Sequence, residues 1–374
     1  MPYVKQKQKP VNSTAVISLS FLAVIILGTV LLMLPFSSAS GQFTDPLTAF
    51  FTSVSATCVT GLVLVDTGSY WSTFGQLVIL SMIQIGGLGL VTLVSFFYFI
   101  LGRKMGLHSI QTASESVNSN GFADVKQIVK KIITISFACE LAGALLLMIS
   151  YVPKFGAKGV YLSFYLSVTA FCNAGFDVMG MTAEPFSSLT TLSSDPVTLL
   201  VIPLLIISGG LGFVVWNEII QYKNTRKFSF QAKLVLGSTV FLIISGTLLT
   251  MITEWNNPST LEGQSFFYKL GNSFFSSVTL RTAGFNTIDT ASITPLSKIL
   301  SIFYMFIGVA PGSTGGGIKI TTFVIVVMTV ISVMTNKSDT VILERRIEKS
   351  LVYKAISILF NSPPDKLPST SRLM

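Results

Sequence analysis

Residues 281–287 read Arg281-Thr282-Ala283-Gly284-Phe285-Asn286-Thr287, and two earlier stretches echo them: Cys58-Val59-Thr60-Gly61-Leu62 and Cys172-Asn173-Ala174-Gly175-Phe176. The three glycines lie 114 and then 109 residues apart. A short apolar segment precedes each turn: Ala49-Phe50-Phe51-Thr52-Ser53-Val54-Ser55, then Phe164-Tyr165-Leu166-Ser167-Val168-Thr169, then Phe274-Phe275-Ser276-Ser277-Val278-Thr279. The third aligns with a slip of one residue. A second glycine motif follows each unit, Gly86-Gly87-Leu88-Gly89, Gly209-Gly210-Leu211-Gly212 and the cluster Gly315-Gly316-Gly317. Two motifs in the same order in three units identify an internal repeat.

The surroundings of these turns are apolar. The 374 residues are 50% hydrophobic and 11% charged, against about a quarter charged in a typical soluble domain. Mean hydropathy is +0.70. No Asp, Glu, Lys or Arg occurs between Lys9 and Asp45, or between Asp66 and Arg103. A helix crossing ~30 Å of hydrocarbon needs about 20 apolar residues, and the segments flanking each turn meet that length. Each repeat therefore reads as outer helix, half-helix, glycine turn, outer helix. The ranges are 13–35, 46–57, 58–66 and 70–101; then 126–152, 160–171, 172–178 and 196–222; then 230–255, 264–280, 281–288 and an interrupted 295–335. The central segments are too short to cross and read as re-entrant, which makes the chain an all-α, multi-pass membrane protein. The first run, Thr14 to Leu34, follows Lys5, Lys7 and Lys9 as a secretory signal would, but it exceeds the ~7–15 apolar residues of such a signal. It reads as an uncleaved first helix.

The net charge of +9 follows topology. Of 25 basic residues, 19 fall in the N-terminus, 102–131, 221–233 and 336–374, which are alternate connections. The positive-inside rule makes that side, with the N-terminus, cytoplasmic, so no nucleic-acid partner is implied. Cys58, Cys139 and Cys172 have neither a disulfide framework nor zinc-ligand spacing. One histidine, His108 in a polar loop, supports no catalytic triad. Glu140 is the acidic residue well inside a span, and a structural pairing role is expected for it.

Non-helical backbone at membrane depth must line a cavity or be buried in protein. Glycine at 61, 175 and 284 permits conformations that aim consecutive carbonyls inward, and a ring of carbonyls can replace the water around a potassium ion. Close helix packing is the alternative use of such glycines; three aligned copies favour the ion site. These turns, together with Ala310-Pro311-Gly312-Ser313-Thr314-Gly315-Gly316-Gly317-Ile318-Lys319, resemble the Trk/Ktr/HKT superfamily of potassium transporters, and most closely its Ktr-type membrane subunits. The resemblance runs from the N-terminus to about Phe360. It implies four such repeats around one pore, with Val59, Thr60, Gly61, Asn173, Ala174, Gly175, Thr282, Ala283 and Gly284 as potassium-coordinating backbone. It also implies a mobile gate loop at 308–318 with Gly308, Pro311, Gly312, Gly315, Gly316 and Gly317, and Lys319 directly after it as a further gate residue. A hinge is the plainer reading of that loop, and a Lys319 head reaching the interface the plainer reading of its charge. A phosphate loop is excluded, because Ile318 stands where its lysine belongs.

The resulting organisation is a cytoplasmic N-terminus (1–12), repeat one (13–101), a cytoplasmic loop (102–125), repeat two (126–222), repeat three (223–335), a cytoplasmic linker with the start of a fourth repeat (336–360) and a polar tail (361–374). That tail, with three prolines from Pro363 to Pro368, departs from the family pattern. The expectation is a product truncated before its fourth turn and defective on its own. The resemblance further implies residence in a bacterial plasma membrane, contact with membrane lipid, a homodimer, and a cytosolic ring of nucleotide-binding regulatory subunits. Docking of the ring is expected on 102–131 and 221–233, Lys130 and Lys131 included. No resident cofactor is implied; potassium is the substrate and sodium a candidate activating ion. The competing reading is a secondary transporter for another small solute with discontinuous helices. An enzyme would need paired acidic or histidine residues inside the spans, and only Glu140 is there.

Overall fold

A computed structural model describes residues 13–89, 92, 122–337 and 339–359, with backbone alone at 13–16 and 122–127. The expected cytoplasmic N-terminus, most of residues 90–121 with His108, and the tail 361–374 lie outside the described residues.

The described chain is mainly helical. Repeat one has an outer helix Ser13–Met33, a half-helix Pro46–Thr57 and a second outer helix Thr73–Leu88. Repeat two has Phe122–Phe155, the half-helix Ala157–Phe171, and then Pro196–Gly210 and Phe213–Thr225. Repeat three has Phe230–Glu254, the half-helix Phe266–Thr279, Pro295–Phe306 and Ile320–Met334. The start signals are local. Asp45 and Asp195 each cap a helix that begins with proline, and Ser72, Ser229 and Thr294 cap three more through their hydroxyls.

Ile128–Phe155 and Phe230–Glu254 are long and apolar enough to cross a membrane. Leu141, Leu145 and Ile149 line an exposed stripe on one, and Phe241, Ile244, Leu248 and Ile252 on the other. Those faces suit lipid, because in hydrocarbon an exposed leucine loses nothing. The half-helices of 12, 15 and 14 residues extend only ~18–23 Å at 1.5 Å per residue.

The second outer helices depart from the continuous spans expected. Residues 196–222 form two helices that meet at 99°, broken at Leu211-Gly212. Gly212 has φ +83°, and Gly89, at the same place in repeat one, ends its helix with φ +81°. The bend is held across the break: Trp216 Nε1 donates to Ser208 O at 2.8 Å, and Phe213 N to Gly312 O at 3.0 Å. In repeat three the expected interruption spans the gap between Phe306 and Ile320. Beyond it, residues 336–360 hold a short hairpin, Val341–Ile342 against Arg345–Arg346, and a helix Lys349–Leu359 that packs on Ile320–Met334.

Repeat two lies between its two neighbours. Its half-helix contacts Phe122–Phe155, Pro196–Gly210 and Thr73–Leu88, and from Tyr165 to Phe171 it is entirely buried. Its outer end is fastened by Asp195, whose carboxylate accepts hydrogen bonds from Ser150 Oγ and Lys154 Nζ at 2.7 Å each and from Thr198 N at 2.9 Å. Burial pushes the Asp195 carboxyl up, but these hydrogen bonds outweigh it and hold the group below its ordinary value. A depressed carboxylate stabilises the fold fully above its unfolded value near pH 4, and that contribution is lost as pH falls through the folded value. Asp195→Asn is therefore expected to cost about 1–3 kcal/mol at pH 7. The melting-temperature difference from wild type should shrink in acid below about pH 4; a difference independent of pH would count against this role.

Candidate functional site

The half-helices of repeats one and two end in the same way. In repeat one Val59 N donates to Ala56 O and Thr60 N to Ser55 O; in repeat two Asn173 N donates to Ala170 O and Ala174 N to Thr169 O. Repeat three closes with Ala283 N on Thr279 O. Its half-helix stops at Thr279, five residues before Gly284, whereas the others stop four residues before their glycine. Counted from the Ser-Val pair of each half-helix, the third glycine comes one residue sooner, six positions on against seven, which is the slip visible in the sequence; the third helix ends earlier still and leaves more of its chain to the turn. Thr279 Oγ1 braces the longer turn by accepting from Phe285 N (3.0 Å) and donating to Phe285 O (2.7 Å).

The backbone of all three turns is left-handed at the same two places. Val59, Asn173 and Thr282 have φ of 55°, 55° and 60°, and Gly61, Gly175 and Gly284 have φ of 78°, 68° and 84°. A left-handed conformation costs a non-glycine residue about 1–2 kcal/mol; its recurrence at all three positions marks it as part of the design. Alternating handedness turns consecutive peptide planes the same way, so it can gather carbonyls on one side of a strand, as in a potassium filter.

The three turns are in direct contact. A Cβ placed on Gly61 would lie 2.6 Å from Ala174 O, and one on Gly175 would lie 2.8 Å from Ala283 O and 3.0 Å from the Gly284 Cα. The nine residues singled out in the sequence thus meet as three adjacent strands, with the repeat-two strand in the middle. Their outer ends are laced together by two side chains, Asp66 and Ser188, and by main-chain bonding at Asn286, none of which stands out in the sequence. Asp66 accepts from Phe186 N at 2.8 Å, Ser188 Oγ accepts from Asn286 N at 3.2 Å, and Leu189 N donates to Asn286 O at 3.0 Å.

The loop 308–318 sits against the inner end of these strands. Thr314 Oγ1 donates to Phe171 O at 3.0 Å and lies 3.2 Å from the Asn173 side-chain amide, and Gly316 N donates to Thr282 Oγ1 at 3.1 Å. Ala310 N and Thr314 N donate to Gly210 O and Gly209 O. The loop closes on itself where Gly308 N meets Ile318 O at 2.9 Å, and Gly308 has no room for a side chain, with Gly316 O 2.2 Å from its would-be Cβ. Lys319 Nζ turns back to Gly315 O at 2.7 Å. Its head is engaged by the loop itself.

The paired glycines of the second outer helices face the same contact. A Cβ on Gly86 would strike Thr57 O at 2.1 Å, and one on Gly209 would strike Phe171 O at 1.8 Å. Each helix thereby abuts the last carbonyls of its half-helix. Beneath lies a cavity of about 570 Å³ bordered by Gly86–Gly89, Lys131, Phe213, Asn217 and Pro311–Thr314. Lys131 donates to Asn217 Oδ1 at 2.7 Å there, whereas Lys130 is exposed. Glu140, 2% exposed, takes its expected pairing from an amide: Gln84 Nε2 donates to its carboxylate at 2.9 and 3.2 Å. Among the described residues no cluster of His, Cys, Asp or Glu could hold a metal ion.

Gly175→Ala adds a clash to an unfavourable φ, whereas Gly263→Ala, at φ +79° with open space around it, incurs the φ cost alone. The first is expected to destabilise the protein by at least about 1–3 kcal/mol and clearly more than the second, measured as thermal unfolding in detergent. Equal losses would mean that the turns are not in contact.

Comparison with known proteins agrees with this geometry. The family model for TrkH, a cation transport protein, matches residues 4–360. The chain is 35% identical to the potassium/sodium uptake protein NtpJ of Enterococcus hirae, over 95% of this chain and 78% of that protein. It is 38% identical to the Ktr system potassium uptake protein B of Bacillus subtilis, over 93% and 76%. The crystal structure of the potassium transporter TrkH from Vibrio parahaemolyticus superposes with a TM-score of 0.68 at 18% identity, covering 96% of this chain and 71% of that one, which shows the shared fold. Apolar helices, re-entrant glycine turns and these matches together make the chain a membrane protein of the TrkH family of cation transporters.

Proposed function

We propose that this chain is the ion-conducting subunit of a Ktr-type potassium-uptake system. The carbonyls of Val59, Thr60 and Gly61, of Asn173, Ala174 and Gly175, and of Thr282, Ala283 and Gly284 stand in for water around a potassium ion. The single observation that supports this most is the shared backbone pattern, left-handed at the first residue and the glycine of three strands in mutual contact. Three half-helices direct their C-terminal ends at this point, and the partial negative charge of a helix C-terminus favours a cation. The loop 308–318 gates the inner end of the path, and the cavity beneath it receives the ion.

The names of the relatives support potassium as the substrate, and NtpJ brings sodium in as a second ion. A homodimer, a plasma-membrane setting with the N-terminus inside, and a cytosolic nucleotide-binding ring belong to the same reading. Lys130, being exposed, remains suited to the ring; Lys131 faces the cavity and belongs to the ion path instead.

Purified protein in lipid nanodiscs, titrated with potassium, sodium or choline chloride, tests the proposal. Potassium should raise the melting temperature at lower concentration than sodium, and choline should not. Saturation at a hundredfold over the dissociation constant corresponds to about 2.7 kcal/mol. Gly175→Ala should remove the potassium response. Identical curves for the three salts would refute the carbonyl site.

A further inference from the structure

Position 281 differs in kind from its counterparts. In repeats one and two the residue opening the turn is neutral, Cys58 and Cys172; in repeat three it is Arg281. Its side chain is 2% exposed. Nη2 donates to Thr239 Oγ1 at a long 3.3 Å, on the outer helix Phe230–Glu254 that packs against this repeat's half-helix. Nε has no hydrogen-bond partner among the described residues. No described carboxylate pairs with it, the ion pairs of the described residues being Lys154–Asp195 and Arg346–Asp339. A buried guanidinium with one hydroxyl for company is costly in water-free surroundings, and such a residue in a membrane protein marks function by default.

Its main chain belongs to the site. The Arg281 carbonyl lies 3.4 Å from the Asn173 side-chain amide, at the junction of the second and third strands, and the next residue, Thr282, begins the left-handed pattern. The Arg281 Cα is three residues from Gly284, within about 11 Å along the chain at 3.8 Å per step. The Arg281 side chain thus leaves the main chain at the foot of the strand whose carbonyls would hold a cation, and carries its charge to Thr239 on the neighbouring outer helix.

Resting on the potassium reading above, we propose that Arg281 sets the cation affinity of the site. Its charge raises the free energy of an ion held by the strands and so weakens binding that carbonyls alone would make too tight for release. Conduction needs that balance, since an ion must be able to leave as well as enter. The pseudo-symmetric ring obtains it from one residue placed on one strand. An arginine is suited to the task because it keeps its proton even when desolvated.

The test uses the whole chain in nanodiscs, with potassium-dependent melting as readout and three variants. Arg281→Met and Arg281→Gln remove the charge, and Arg281→Lys keeps it. The neutral variants should reach half-maximal stabilisation at potassium concentrations about tenfold lower than wild type, the order set by a unit charge roughly 10 Å away at an effective dielectric near 20. Arg281→Lys should stay near the wild-type midpoint. Unchanged midpoints in the neutral variants, beside a clear wild-type response, would overturn the proposal and leave the potassium site standing. Loss of folded protein in both neutral variants, with Arg281→Lys intact, would also overturn it by giving the charge a purely structural role. A wild-type protein with no potassium response would instead sink the underlying site, and the proposal with it.

Discussion

Three main chains can meet at one place only if no side chain stands between them, and that constraint organises this molecule. Gly175 has a glycine on either side: a Cβ on Gly61 would lie 3.4 Å from the Gly175 Cα, and one on Gly284 would lie 3.0 Å from it. Such an approach needs glycine for space and for its positive φ at once. It also needs each half-helix to stop short, so that backbone rather than helix reaches the contact. The capping of the turns, the glycine pairs of the outer helices and the lacing of the outer ends all serve that approach. Gly86 and Gly209 let their helices press on Thr57 O and Phe171 O, and any larger residue would push the half-helices apart.

Much of this was legible in the sequence because it is periodic. The repeat gave away the turns, and the half-helices were identified by being too short to cross a membrane. Both depend on composition and spacing, which survive in a single sequence. The bends did not have that signature. Gly-Gly-Leu-Gly was visible as a motif, but glycine in an apolar run is compatible with an unbroken membrane helix. Only the structure assigns the first glycine to close approach and the last, Gly89 or Gly212, to a left-handed break. The interruption in repeat three was foreseeable because it adds proline and three consecutive glycines to a segment too long for one crossing.

Side-chain direction was less accessible still. Lys130 and Lys131 are adjacent in a basic segment, and nothing local distinguishes the exposed one from the one that reaches Asn217, 86 residues away. Glu140 finds its partner 56 residues earlier in Gln84, a neutral residue that a search for opposite charge overlooks. Asp66 and Ser188 lace the strands from loops of ordinary polar composition, where such residues are expected merely to face water. Long-range pairing of this kind is decided by the packing of the repeats, and sequence period carries no record of it.

The contacts of the loop 308–318 carry the argument one step further. Gly316 N binds Thr282, a residue whose own left-handed backbone forms the third strand; Thr314 binds the end of the second half-helix; Ala310 and Thr314 hold the bend of the second outer helix. The loop belongs to repeat three yet rests largely on repeat two. Moving it aside requires releasing about five hydrogen bonds, each with a net worth near 0.5–1.5 kcal/mol, or roughly 2.5–7.5 kcal/mol in total. A cost of that order keeps the packed arrangement dominant. Two of those five bonds end on the third turn and on the last residue of the second half-helix. The loop therefore cannot shift without altering what holds Thr282 and Phe171, and any change in the strands alters what holds the loop. In this architecture the three glycine turns and the loop packed against them form one mechanical unit.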